Sequence, residues 1–367
     1  MNPPATGTRF QRFLLPGLAF KAAVIGGGYA TGRELAEFFL PSGPQGGLLA
    51  IALGMLFWSV VCALTFALAL QVLAFDYRSF FKALLWPAWV AFEAAYLLFA
   101  VLVLAVFGAA AGAIGSAVLG WPAPAGTLAL AIAICMFAAA GNHSVEGLFK
   151  WVSLFLYGVY ALFVVLSLSA FGPRISAQLA TAQPMHGWLQ GGLTYTSYNV
   201  VGAVIVLPML KHLRGRRDAL IAGALAGPLA MIPALAFFVC MLAFYPAIGE
   251  EALPSDFLLR RLNIPAFHYV FQAMIFLALL ESGTSFVHAI NERVALVYRL
   301  RRGRTLPFVA RGCITVIVLL GSMFLAQRFG LVTLIAQGYR ALAYLILCIF
   351  VLPLLTLGVA RLVRTRR

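Results

Sequence analysis

Apolar runs of about 17 to 35 residues follow one another along almost the whole of this 367-residue chain. That is the length a helix needs to cross the ~30 Å hydrocarbon core of a bilayer. It is too long for the ~10-residue alternation of a membrane barrel strand. Only 10% of the residues are charged and the mean hydropathy is +0.98, whereas a soluble domain carries about 25% charged residues. The chain reads as an all-α membrane protein, a single polytopic domain over 1–367.

Breaks such as Pro41-Ser42-Gly43-Pro44, Trp121-Pro122-Ala123-Pro124, Gly141-Asn142-His143 and the acidic stretch from Glu250 to Asp256 divide the runs. They leave ten expected spans, near 14–39, 46–73, 83–119, 125–141, 148–172, 186–210, 218–246, 266–298, 306–327 and 331–361. The first run reads as a retained span, because no small-residue cleavage site follows it. Basic residues orient the spans: 19 fall on the side of the termini and 4 on the other. Such a bias places both termini in the cytoplasm and makes the net charge of +15 an anchor facing anionic lipid, not a nucleic-acid surface. The five cysteines all lie in apolar runs without CxxC spacing and read as packing residues.

Inside the first run stand Gly26, Gly27 and Gly28, followed by Tyr29, Ala30, Thr31, Gly32, Arg33 and Glu34. Each glycine costs a helix roughly 1 kcal/mol relative to alanine. Non-helical backbone at membrane depth is tolerated only where protein or a cavity satisfies it. The run therefore marks a helix broken around something that binds. Packing is the competing reading, since Gly28 and Gly32 form a GxxxG pair. The sixth run has Gly191-Gly192 and then the polar stretch Thr194 to Asn199, in the corresponding place if the ten spans form a 5+5 inverted repeat, 1–175 and 186–361. Paired interrupted segments of this kind point to a transporter's substrate site.

That pattern nominates Gly26, Gly27, Gly28, Tyr29, Thr196, Ser197 and Asn199 for substrate binding. The hydroxyls of the sixth span could instead bond their own helix. In the eighth run Glu281, Thr284 and Ser285 combine a carbonyl with hydroxyls one turn on, hard oxygen ligands for Na⁺; interhelical hydroxyl bonding is the alternative. Ionisable residues inside spans carry function by default. Lys21, Arg33, Glu34, Glu93, Glu281 and Arg340 are the gating or proton-coupling candidates. Glu93 and Glu281 are expected as buried acids in the two longest spans, and Glu281, near mid-depth, suits a proton carrier best. Arg33 and Glu37 are four apart and can pair locally, while Glu37 reads otherwise as a solvated interfacial acid. Arg340 needs an acid, for which Glu34 and Glu281 are the candidates. Lys21 either occupies a cation site as a tethered charge or snorkels to the interface. No HExxH, Walker A or GxSxG motif is present, so nothing points to an enzyme.

The stretch Gly26 to Glu34, in the first of ten spans, resembles the YkvI family of bacterial membrane proteins, of the amino acid–polyamine–organocation superfamily with the LeuT-type fold. The resemblance implies that spans one and six are interrupted and hold the substrate, at Gly26, Gly27 and Gly28 and around Thr196 to Asn199. It implies a sodium site of Val24, Gly27, Glu281, Thr284 and Ser285. It also implies an outer gate between Arg33 and an acid in span ten, where this chain offers Arg340 instead. The expected function is alternating-access transport of a small amino acid or related amine or organic solute, coupled to Na⁺ or H⁺, in the cell membrane. The partners would be the lipid bilayer and a small-molecule solute, with no cofactor beyond the coupling ion. A non-transporting receptor or scaffold, or a channel, is the alternative, and oligomeric state stays open.

Overall fold

A computed structural model describes residues 8–364 apart from Gly26 and Gly141; the side chains of 27–28, 139–154 and 300 also lie outside the description. The first span comprises α1 (Leu15–Val24), α2 (Gly27–Ala30) and α3 (Arg33–Phe38). Span two is α4 (Gly43–Gln71), and the amphipathic α5 (Tyr77–Leu85) precedes α6 (Trp89–Leu119), which is span three. Spans four and five are α7 (Ala123–Ala140) and α8 (Asn142–Ala180). Span six comprises α9 (Trp188–Asn199) and α10 (Gly202–Ile205), and α11 (Arg216–Leu242) is span seven. The short α12 (Pro254–Leu262) leads into α13 (Pro265–Arg302), span eight. Span nine is the bulk of α14 (Phe308–Thr333), which is interrupted at Gly330, where φ is 71°. Span ten continues through α15 (Arg340–Ile346) to α16 (Val359–Arg364), with π-helical turns between.

Among the described residues six helical stretches are long and apolar enough to cross a membrane, and the shorter Ala123–Ala138 is apolar too. The last of the six, 308–364, holds spans nine and ten. Spans one and six fall short individually because both are broken. No strand occurs among the described residues.

Span three begins later than expected. Pro87 has no N–H to continue a helix, and the chain turns there between α5 and α6. Asp76 caps α5 by accepting from the Ser79 N–H at 2.9 Å, as short polar caps do.

The spans pack in two groups. Spans one, two, six and seven meet through α1 on α11, α4 on α11 and α4 on α9. Spans three, four, eight and nine meet through α6, α7, α13 and α14. Exchanging each span for the one five further on carries one–seven into six–two, three–nine into eight–four and five–eight into ten–three, all observed contacts. Spans two and seven approach closely because Gly223 and Gly227, four apart on α11, lie against the backbone of Ala63 and Met55. Small residues serve membrane helices in this way. Pro228 cannot donate to the Ala224 carbonyl four residues back; the Ser59 hydroxyl of α4 does so at 2.7 Å.

Ion pairs follow the expected sidedness. Each one among the described residues joins groups on the same side, either at the end bearing the termini or at the opposite end.

Candidate functional site

Span one breaks twice. The helix of α1 ends at Val24, where Ile25 turns to φ −78°, ψ 80°. A helix that stops leaves its last carbonyls without donors. Gly26 lies outside the described residues, and Gly27 and Gly28 begin the single turn of α2. The second break is at Gly32, φ 78°, left-handed backbone that side chains disfavour. A Cβ there would also run into the Phe237 ring. The short α2 packs against α6 and α13, and α3 against α9, so the break faces spans three, six and eight.

Span six is interrupted more gently, and not within the polar run. Thr194 to Asn199 are helical, and the turn falls at Val200–Val201, both in right-handed helical φ/ψ. The hydroxyls explain why: Thr196 donates to the Gly192 carbonyl at 2.8 Å, Ser197 to that of Leu193, and the Asn199 amide to that of Tyr195 at 3.1 Å. These side chains bond their own helix, the competing reading of the sequence. Trp58 of α4, fully buried, donates Nε1–H to the Thr196 carbonyl at 2.9 Å and sets its ring edge-on to Phe20 at 5.3 Å. One side chain of span two thereby braces both broken spans.

A direct link between the two broken spans runs through Glu34. Its carboxylate accepts from the Tyr198 hydroxyl at 2.6 Å, and both residues are buried. Tyr198 stands between Phe38 and Tyr339, with ring centroids at 6.0 and 4.5 Å. Glu34 forms no ion pair among the described residues. Tyr198 was within reach of sequence reasoning, inside the polar run, but its ring suggests packing. Tyr29 meets the Tyr160 hydroxyl at 3.2 Å, and Tyr160 donates to the Pro233 carbonyl at 3.0 Å.

The end opposite the termini is closed around Glu37, a residue the sequence reads as solvated. Arg33 pairs with it at 2.8 Å, and Arg340 approaches its other oxygen at 3.8 Å. Arg33 also donates to the carbonyls of Gly249 and Glu251, at 2.7 and 2.9 Å. Arg340 thus finds Glu37, and neither Glu34 nor Glu281, as its acid. The expected pairing of a span-one arginine with a span-ten acid is rearranged: the acid stands on span one and is shared. The N–H of Ser255, at the start of α12, donates to the Thr31 carbonyl at 3.0 Å, seating that helix over the second break.

Glu93 requires a correction. Expected as a buried acid, it is the fifth residue of α6 and its side chain is 16% exposed. It accepts from the Tyr77 hydroxyl at 3.0 Å and pairs with Arg78 at 3.4 Å and Arg293 at 3.9 Å. Arg293 also covers the Tyr96 ring at 3.3 Å. This is a structural cluster at the end of the termini. Its supposed counterpart Glu281 lies well inside α13, so the two acids do not correspond in depth. The same end holds Arg12 against Asp218 through two 2.7 Å bonds.

In span eight, Thr284 donates to the Leu280 carbonyl at 2.7 Å and Ser285 to that of Glu281 at 3.0 Å. Thr284 is buried and Ser285 exposed, so the two hydroxyls face different surroundings. Val24 is buried at the end of α1. The Lys21 ammonium lies 4.1 Å from the centre of the Tyr157 ring, held on an aromatic face rather than extended to the interface. Among the described residues no cluster of His, Cys, Asp and Glu suits a metal ion.

The fold is that of the LeuT-type transporters. MhsT in complex with L-phenylalanine is similar over 92% of this chain and 88% of its own, at a TM-score of 0.62 and 17% identity. A manganese transporter of Eremococcus coleocola, in complex with an aromatic bis-isothiourea substituted compound, is similar over 93% of this chain and 77% of its own, at 0.55 and 15%. No protein-family model matches the sequence, and no curated protein matches it significantly. The likeness to YkvI proteins therefore rests on the span-one residues, while the LeuT-type architecture stands on structure.

Proposed function

We propose that this protein is a secondary transporter that moves a small amino acid or a related amine or organic solute across the cell membrane by alternating access, with both termini in the cytoplasm. The observation that carries the reading is the broken first span, placed against spans three, six and eight and lying between two separate ion-pair closures, one at each end. Alternating access needs a midplane site and two gates, and broken helices are a common way to build the site. Gly26, Gly27, Gly28 and Tyr29 would line it from span one, with Thr196, Ser197 and Asn199 behind them on span six.

For the coupling ion we favour H⁺ at Glu34. It can take and release a proton without breaking an ion pair, and Tyr198 transmits the change to span six. Na⁺ at Val24, Gly27, Glu281, Thr284 and Ser285 is the second reading, supported by the packing of α2 on α13. The test is uptake of labelled amino acids and amines into proteoliposomes under imposed pH or Na⁺ gradients. Saturable uptake driven by the pH gradient and lost in Glu34→Gln is expected. Sodium-driven uptake lost in Thr284→Ala would transfer the coupling to span eight. Ligand binding without flux would favour a receptor, and non-saturating flux a channel.

A further inference from the structure

A chamber of about 440 Å³ lies between spans one, five, seven and eight, beside the span-one break. Its walls are Tyr29, Tyr160, Val164, Ile232 and Met274, among others, and are mainly apolar. That volume suits a small organic molecule. Val165 and Ile232 on its rim are 59% and 55% exposed, on a surface that faces lipid tails in a membrane-spanning chain. Among the described residues the one cationic side chain lining it is Lys21, whose ammonium rests on the Tyr157 ring at 4.1 Å. Beyond Tyr157 a second cavity, about 60 Å³, shares Ile25 and Leu156 with the first and is lined by Glu281 and Ser282.

We propose that this chamber binds a compact amphipathic monocarboxylate, with its carboxylate on the Lys21 ammonium and its apolar body among Tyr29, Tyr160, Val164, Ile232 and Met274. The inference rests on the reading of the span-one break as the substrate site, of which the chamber takes in Tyr29 and none of Thr196, Ser197 and Asn199, and it names the substrate class. Charge complementarity selects the head group: an ammonium beside an apolar wall favours an anion and repels an amine. A cation held on an aromatic face gives up only modest energy when it turns to a ligand. Among the described lining residues a second carboxylate on the same ligand would meet mainly apolar walls, and an unpaired buried charge is costly, which selects mono- over dicarboxylates. The apolar walls supply the affinity, since each buried methylene adds to it, and a head group without a body would bind weakly.

The test is calorimetric titration of the full-length protein in lipid nanodiscs with 3-phenylpropionate, 3-phenylpropylamine, phenylsuccinate, propionate and palmitate. Binding of 3-phenylpropionate alone, or at least tenfold more tightly than the others, is expected. Lys21→Gln should weaken it tenfold or more, Lys21→Arg should retain it, and Ala161→Trp should abolish it by filling the chamber. The proposal is overturned if the amine binds as well as the acid, if palmitate binds more tightly, or if Ala161→Trp and Lys21→Gln leave binding unchanged. Should Lys21→Gln fail to fold, the Ala161→Trp and head-group comparisons still decide. Lys21-dependent binding with no flux of any solute would uphold the chamber and sink the transporter reading. Gradient-driven uptake of another solute with no 3-phenylpropionate binding would do the reverse.

Discussion

At the end that carries the termini, Arg12 and Asp218 meet through two 2.7 Å hydrogen bonds, and Asp218 accepts a third from the Arg214 N–H at 2.9 Å. At the other end one acid, Glu37, is divided between Arg33 at 2.8 Å and Arg340 at 3.8 Å, and the Arg340 side chain is 48% exposed. The first closure is a single bidentate joint between the N-terminal segment and span seven. The second is a chain of weaker links running from span one to span ten and to the loop before α12. Bidentate charge-assisted bonds are strong and geometrically strict, whereas exposed ion pairs contribute about 0–1 kcal/mol. The termini end should therefore open all at once, and the opposite end by stages, Arg340 leaving first.

That contrast can be broken in four ways. Asp218→Asn should have the largest effect. In a cysteine-depleted background carrying Val24→Cys, labelling from the termini side should rise roughly fiftyfold as the inner joint fails; unchanged labelling would mean that this end is held by packing. Gly32→Ala attacks the outer end through its backbone. Left-handed strain plus the Phe237 clash should cost about 2 kcal/mol, read as a lowered thermal unfolding temperature. Gly187→Ala, with a φ of 74° and open space around it, should lose less. Glu37→Gln removes both ion pairs of Glu37 but leaves an amide oxygen to accept from Arg33. A loss of about 1 kcal/mol should show as several-fold faster labelling of Ala30→Cys from the side opposite the termini. Arg340→Ala should be the mildest, within about 0.5 kcal/mol, with labelling close to that of the parent. A larger effect for Arg340→Ala than for Glu37→Gln would refute the staged opening.

The ten spans were legible because apolar length and turn residues are strong, local signals. The break at span one was legible too, since three successive glycines weaken a helix at membrane depth, although close helix packing was a competing use for them. What escaped were facts decided by partners far away in the chain. Glu37 looks like an interfacial acid until Arg340, some three hundred residues later, is brought to it. Glu93 read as a buried acid because an apolar run conceals the turn at Pro87, which leaves it near the start of α6. The polar stretch of span six suggested unwinding, but its hydroxyls satisfy their own helix carbonyls, and the turn falls on two valines that carry no signal at all. Nothing local to Tyr198 shows that its hydroxyl reaches Glu34, 164 positions away.

The separation of ion pairs into two end layers has an electrical consequence. Between those layers lies a slab of low polarizability in which Lys21, Glu34 and Glu281 stand as charged or protonatable groups. A membrane voltage falls across that slab, not across the hydrated ends. Moving one elementary charge through it is worth about 2.3 kcal/mol per 100 mV. Protonation of Glu34, or a swing of Lys21 away from Tyr157, would thus appear as a transient displacement current whose size reports the fraction of the field each group crosses.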